Sequence, residues 1–279
     1  MIHMKKMAAA VALAAASIGG AHALVQGDIA FTGLSTNTTV GGWSFATFAD
    51  IALGTTIYFT DTSIQTNGTF VTTPETFWSW TATSQVDAGT IITVTNNGSS
   101  TAQVASTGSV VNLGAGTGGA ATAFNVSSSG DTLYAYLATS STFNTVPSAA
   151  NTLAAISNRA TPYASSDDPA SISGITLTNI RGVSTLSTEV TAVLSTATAC
   201  TTAAACRWAE FNPTGTYASV ADLKAAIANT TNWASAQESN SVGLDAATGL
   251  ITPVPEASTY AMLLAGLGMI GLMARRRSV

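Results

Sequence analysis

Histidine is almost missing from this chain of 279 residues, and both copies, His3 and His22, stand near its start. Nothing after residue 22 can therefore supply a Ser-His-Asp or Cys-His catalytic arrangement, or a histidine-ligated metal centre. Charge is also scarce: Asp, Glu, Lys and Arg together make up 8 % of the residues, with 9 basic against 14 acidic. Of the basic residues, Lys5, Lys6 and Arg275 to Arg277 lie at the two ends. Only Arg159, Arg181, Arg207 and Lys224 are left for everything between. So few scattered cations build no basic patch, which excludes nucleic acid as a partner. Low charge does not mean disorder here, because the hydrophobic fraction is 46 %. Serine, threonine, glycine and asparagine fill much of the rest, a mixture suited to an extracellular β-protein with polar loops.

The ends carry the most specific patterns. The C-terminal one reads Val254-Pro255-Glu256-Ala257-Ser258-Thr259, then an uncharged run from Tyr260 to Ala274, then Arg275-Arg276-Arg277. As a helix, Ala261 to Ala274 would cover about 21 Å. A bilayer core is roughly 30 Å thick, so the span is short. Tyr260 suits one interface, and the three arginines can snorkel toward the other, favouring a cytoplasmic C-terminus. At the N-terminus, Lys5 and Lys6 precede the alanine-rich stretch Met7 to Ile18, and Ala21-His22-Ala23 is a small-x-small cleavage site. A signal peptide over residues 1–23, cut after Ala23, is expected. Met4-Lys5-Lys6 is a second possible start of translation beside Met1.

The C-terminal pattern resembles the PEP-CTERM sorting signal of bacterial envelope proteins. There a Val-Pro-Glu-Pro-Ser-type motif precedes a membrane segment and an arginine cluster. This chain departs from it at Ala257, where the family usually has a second proline. The resemblance implies an exosortase as partner, preceded by the Sec export machinery and signal peptidase, with the C-terminal helix as a membrane anchor until processing. It also implies a final place on the cell surface or in the extracellular matrix, associated with exopolysaccharide or biofilm. Export is oxidising, so Cys200 and Cys206 are expected to form a disulfide across the short loop between them. Their spacing is not Cys-x-x-Cys, which argues against a redox dithiol.

Between the ends, short alternating apolar runs are separated by Gly, Asn, Asp and Thr clusters. Strands are expected around Ile29 and Phe31, at Trp43 to Thr47, Thr56 to Thr60, Phe77 to Trp80 and Thr90 to Thr95. Later ones are expected at Thr132 to Leu137, Leu153 to Ile156 and Ile175 to Leu177. Asn96-Asn97-Gly98 reads as the turn closing the fifth run. In Thr132 to Leu137 the pattern puts Leu133, Ala135 and Leu137 on one face and Tyr134 and Tyr136 on the other. One helix is expected after Ser219 as cap, with Asp222 at the capping-box position and Val220, Leu223 and Ile227 on one face. Asn229 to Asn232 would end it, and Trp233 would fold back onto the core. The fold class is thus all-β, an antiparallel sandwich with one short C-terminal helix, over residues 24–242. Residues 243–253 read as a linker and 254–279 as the sorting signal.

The order Gly27-Asp28-Ile29-Ala30-Phe31-Thr32-Gly33, Gly54 to Asp61, Trp80-Thr81-Ala82, Gly89 to Asn96, Ala105 to Val110 and Ser129 to Tyr136, closing with Asn229 to Trp233, resembles a second family. It is the secreted bacterial domain related to lamin-tail, immunoglobulin-like sandwiches. That resemblance implies a fold and a surface location and supplies no catalytic residues.

Several local patterns have an ordinary reading beside a functional one. Gly266-x-Gly268-x-x-Gly271 matches a dinucleotide fingerprint by letter, but it lies in the apolar tail with no βαβ unit around it; membrane-helix packing explains it. Asp61, Asp131 and Asp167-Asp168 are carboxylates that calcium would accept, although no Asp-x-Asp-x-Asp-Gly loop occurs and turn roles explain them. Asp61 with Glu75, Glu189 or Glu210 is the pair to weigh for glycoside hydrolysis. Thr-x-Thr recurs without a fixed period, so it builds no flat repeating face. Asn-x-Ser/Thr triplets follow from composition. Trp43, Trp78, Trp80, Tyr134 and Tyr136 are the candidates for a carbohydrate-binding platform. The expected function is a non-enzymatic exported envelope or matrix protein, with no cofactor, no catalytic residues and no metal. A carbohydrate- or surface-binding module is the alternative, and a carboxylate-based polysaccharide hydrolase comes third.

Overall fold

Thirteen strands among the described residues follow from the alternating runs, and most hold an aromatic or β-branched residue facing inward. The computed structural model describes residues 23–37, 39–62, 75–115, 123–124, 126, 131–145, 151–158, 176–179, 192–195, 208–236, 244–252 and 266–267. The strands are β1 (Ile29–Ser35), β2 (Gly42–Thr47), β3 (Thr56–Thr60), β4 (Phe77–Thr81), β5 (Ile91–Ser99), β6 (Ala102–Ala105) and β7 (Ser109–Gly114). Then come β8 (Thr132–Tyr136), β9 (Thr152–Ser157), β10 (Thr176–Asn179), β11 (Ala192–Ser195), β12 (Trp208–Phe211), helix α1 (Val220–Ala228) and β13 (Trp233–Ala236). One sheet has the order β13-β12-β1-β2-β5-β6, the other β11-β10-β9-β8-β3-β4-β7. Pairing is antiparallel except at one edge, where β9, β10 and β11 run parallel. The expected all-antiparallel sandwich is corrected there, because alternation within a strand says nothing about the direction of its neighbour.

The sheets face each other across an aromatic core. Phe31, Trp43 and Phe45 from one side meet Phe59, Trp78 and Trp80 from the other, all fully buried. Ring centroids lie 5.1 Å apart for Trp43 and Phe59, 5.3 Å for Trp43 and Trp78, and 5.6 Å for Phe45 and Trp80. Such tilted and edge-on pairs add specificity to the area they bury. Trp80 Nε1 donates to the Thr107 carbonyl at 2.7 Å and Trp78 Nε1 to Gln103 Oε1 at 3.1 Å, so two indoles keep their polar edge satisfied while buried. The predicted split of β8 holds, with Leu133 and Ala135 in this core. Tyr136 packs on the outer face with Tyr58, Phe77 and Phe143.

The outer face of the six-stranded sheet is also covered. Ala30, Ala46, Ile91 and Phe211 point away from the aromatic core, and Leu223 and Ile227 of α1 pack on them. Ser219 caps α1 as expected: its Oγ accepts the Asp222 N–H at 3.2 Å and donates to Asp222 Oδ2 at 2.8 Å. Trp233 returns to the helix, its Nε1 donating to the Ile227 carbonyl at 2.8 Å. The Asn96-Asn97-Gly98 signal is a different device from the one expected. β5 continues to Ser99, the pairing with β6 slips between Asn96 and Ser99, and Gly98 takes φ +68° there. The left-handed glycine supports a bulge, not the end of the strand.

Among the described residues no helix is long and apolar enough to cross a membrane. The expected span from Tyr260 to Ala274 lies outside them apart from Gly266 and Leu267, as do Arg275 to Arg277. Residues 254–259, Ala21, Cys200, Cys206, Asp167-Asp168 and Glu189 also lie outside them, whereas Ala23 is described and exposed.

Candidate functional site

Two places gather ionisable groups. The first is built by strand register. In the order β8-β3-β4, Thr60 at the end of β3 pairs with Phe77 at the start of β4 and with Tyr134 near the start of β8. The residues just past these ends are therefore neighbours: Asp61 after β3, Glu75 before β4 and Asp131 before β8. One carboxylate oxygen from each comes within 4.8 Å of the other two. Asp61 and Asp131 are buried and Glu75 is exposed at the rim. Asp61 Oδ1 accepts the Thr76 N–H at 3.0 Å, and Asp131 Oδ1 accepts the Thr132 N–H at 2.8 Å. Burial, then the neighbouring Asp131 and Glu75 charges, push the Asp61 carboxyl well above its ordinary range. Like carboxylates this close do not all stay ionised unless a cation joins them; otherwise they share a proton. Three oxygens are part of the six to eight that calcium takes.

Sequence reading named Asp61 and Asp131 separately for calcium, and Asp61 with Glu75 for hydrolysis. The structure brings all three together. Asp61 is 1 % exposed, however, and a catalytic acid must reach hydrogen-bond distance of its substrate. Glu210 is not its partner. It lies on β12 in the other sheet.

Glu210 belongs to the second place, the segment 244–252. The expected linker is corrected here, because this stretch is laid along the domain. Ile91 and Ala247 exchange both backbone hydrogen bonds, at 2.7 and 3.3 Å. The Leu250 N–H donates to the Gly89 carbonyl at 3.1 Å. Tyr217 donates to the Leu250 carbonyl at 2.6 Å and accepts the Thr252 N–H at 2.9 Å. Leu244 and Leu250 are buried, Leu250 with α1 on the outer face of the sheet. Gly89, at φ +83°, lies so close to Ile251 that a Cβ would meet its Cγ1 at 2.8 Å. Glu210 accepts the Asp245 N–H. Burial, together with the Asp245 charge, outweighs that bond and lifts the Glu210 carboxyl from 4.5 to about 7. The small residues of 244–252 gave no sequence signal, since alternation is absent and backbone pairing is invisible without its partner.

Beside this strap lies an open cleft of about 750 Å³, walled by Asp50, Gln85, Asp87, Thr107, Thr248 and Thr252. Sequence reading did not single out its acids. The five aromatics considered for a carbohydrate platform are all fully buried, which removes that platform.

No curated protein and no solved structure shows a significant match to the chain. Residues 253–277, starting one residue after the strap, match the PEP-CTERM protein-sorting motif, which marks an exported protein for exosortase-dependent sorting to the cell surface or beyond.

Proposed function

We propose that the chain is a non-enzymatic envelope or extracellular-matrix protein, associated with exopolysaccharide or biofilm material after an exosortase has acted on its tail. The observation that carries this reading is the sorting motif at residues 253–277, set directly behind a folded β-domain. In this reading residues 1–23 are a signal peptide removed after Sec export. The apolar run to Ala274 then holds the protein in the membrane until the motif is processed. The β-domain has the lamin-tail-like, immunoglobulin-like fold that its strand strings resemble, and it serves as durable material. Support comes from the aromatic core closed between two sheets and from the lack of histidine after residue 22.

The test is the intact mass of the protein recovered separately from membranes and from culture matrix. A matrix form beginning at Leu24 and ending near Pro255 or Glu256 is the expected result. A chain running to Val279 and found only in membranes would dismiss the matrix role.

A further inference from the structure

The sorting motif is not spaced from the domain by free chain. Its first residues follow Thr252, which is itself hydrogen-bonded to Tyr217 and lines the cleft. Three residues of chain reach at most about 11 Å, so Pro255 stays within that distance of Thr252 while the strap is docked. Pro253 and Pro255 stiffen the connection further, because Thr252 and Val254 each precede a proline and are biased to extended backbone. An enzyme that grips Pro255 and Glu256 must therefore approach the cleft end of the sandwich at close range.

We propose that the sorting enzyme recognises the cleft end of the folded domain together with the linear motif, and that the strap Leu244 to Thr252 is the positioning element joining the two. The inference rests on the sorting reading given above. The strap suits this role because it is held from several sides. Backbone bonds tie it to Ile91, Gly89 and Tyr217, Leu250 is buried against α1, and the Glu210 carboxylate clasps the Asp245 N–H. The surface it presents is open and mixed in character: Gln85, Asp87 and Thr248 are exposed beside the strap, and Val86, Ala88 and Ile251 also line the cleft. A mixed surface of this kind, directly beside the chain that leads into the motif, fits a protein partner that grips the motif at the membrane surface.

The experiment follows tail processing of the full chain in its native host by pulse-chase, using three forms. The first is wild type. The second carries an insertion of about twelve Gly and Ser residues after Thr252, long and flexible enough to release the motif from the domain. The third carries Gln85→Arg with Thr248→Arg, two exposed positions outside the core. The insertion is expected to slow conversion roughly tenfold, the scale of loss when a tethered second contact is released onto a flexible linker. The double arginine form is expected to slow conversion as well, with the melting temperature of the secreted domain unchanged. Conversion of either variant at the wild-type rate or faster overturns the proposal and makes the domain passive cargo. Absence of conversion in wild type itself would instead refute the sorting reading on which the proposal stands.

Discussion

The two faces of the six-stranded sheet are built on different plans. The inner face carries Phe31, Trp43 and Phe45, large rings that interlock with Phe59, Trp78 and Trp80 of the second sheet. The outer face carries the small residues Ala30 and Ala46 with Ile91, and it is closed by α1 and the strap. Strands of one β-unit make the inner core. The outer layer borrows its cover from α1 and from residues 244–252, the last described residues before the sorting motif. The difference teaches that the exported domain is complete only when its C-terminal end is in place. The stretch that leads directly into the sorting motif is thus part of the fold.

The comparison breaks most sharply in the inner core. Trp78→Ala should cost about 3–5 kcal/mol, the range for deleting a buried aromatic, read as the shift in urea midpoint. A cost near 1 kcal/mol would mean that the rings are loosely packed. On the outer face, Leu250→Ala should cost about 2–3 kcal/mol if the strap unfolds with the domain. An unchanged midpoint, with faster hydrogen exchange confined to 244–252, would show instead that the strap opens alone.

The two raised carboxyls predict the pH dependence. Glu210 holds its proton in the folded state up to about 7 and loses it when unfolded near 4.5. Asp61 has the same sign, being raised well above its ordinary value. For Glu210 the folded state binds more protons between its two values, so its contribution to stability falls as pH rises from about 4.5 to 7, and Asp61 adds a fall of the same sign above its ordinary range. Melts at pH 5, 6, 7 and 8 should show this slope. Glu210→Gln should flatten it while keeping an acceptor for the Asp245 N–H. Asp61→Asn should raise stability at pH 7 in a chelating buffer by relieving the like-charged contact with Asp131 and Glu75. A drop in that buffer would contradict the electrostatic picture of the cluster. The smallest effect belongs to the helix cap: Ser219→Ala should cost about 1 kcal/mol, measured by the same urea titration.

Local chemistry explains which features were legible beforehand. β3 and β8 were visible because Ile57 and Phe59, or Leu133 and Ala135, alternate with residues of another kind. The cap of α1 was visible because Ser219 and Asp222 stand three apart. β12 and β13 escaped because Trp208-Ala209-Glu210-Phe211 and Trp233-Ala234-Ser235-Ala236 show no clear alternation of large apolar and polar residues. Asp61 and Asp131 were noticed one by one, but only the pairing of β3 with β8 and of β3 with β4 makes them, with Glu75, a cluster. The pairing of Asp61 with Glu210 failed for the same reason, since the two strands belong to different sheets.

Sequence alone determined the sorting motif, the lack of histidine after residue 22 and the mainly β character of the domain, because each is written in residue types and short spacings. Tertiary structure alone decided that the tryptophans are core and not a sugar platform, that three distant carboxylates share one corner, and that residues 244–252 are strap and not linker. Burial, charge proximity and backbone pairing are relations between segments far apart in the chain, and no segment holds them by itself.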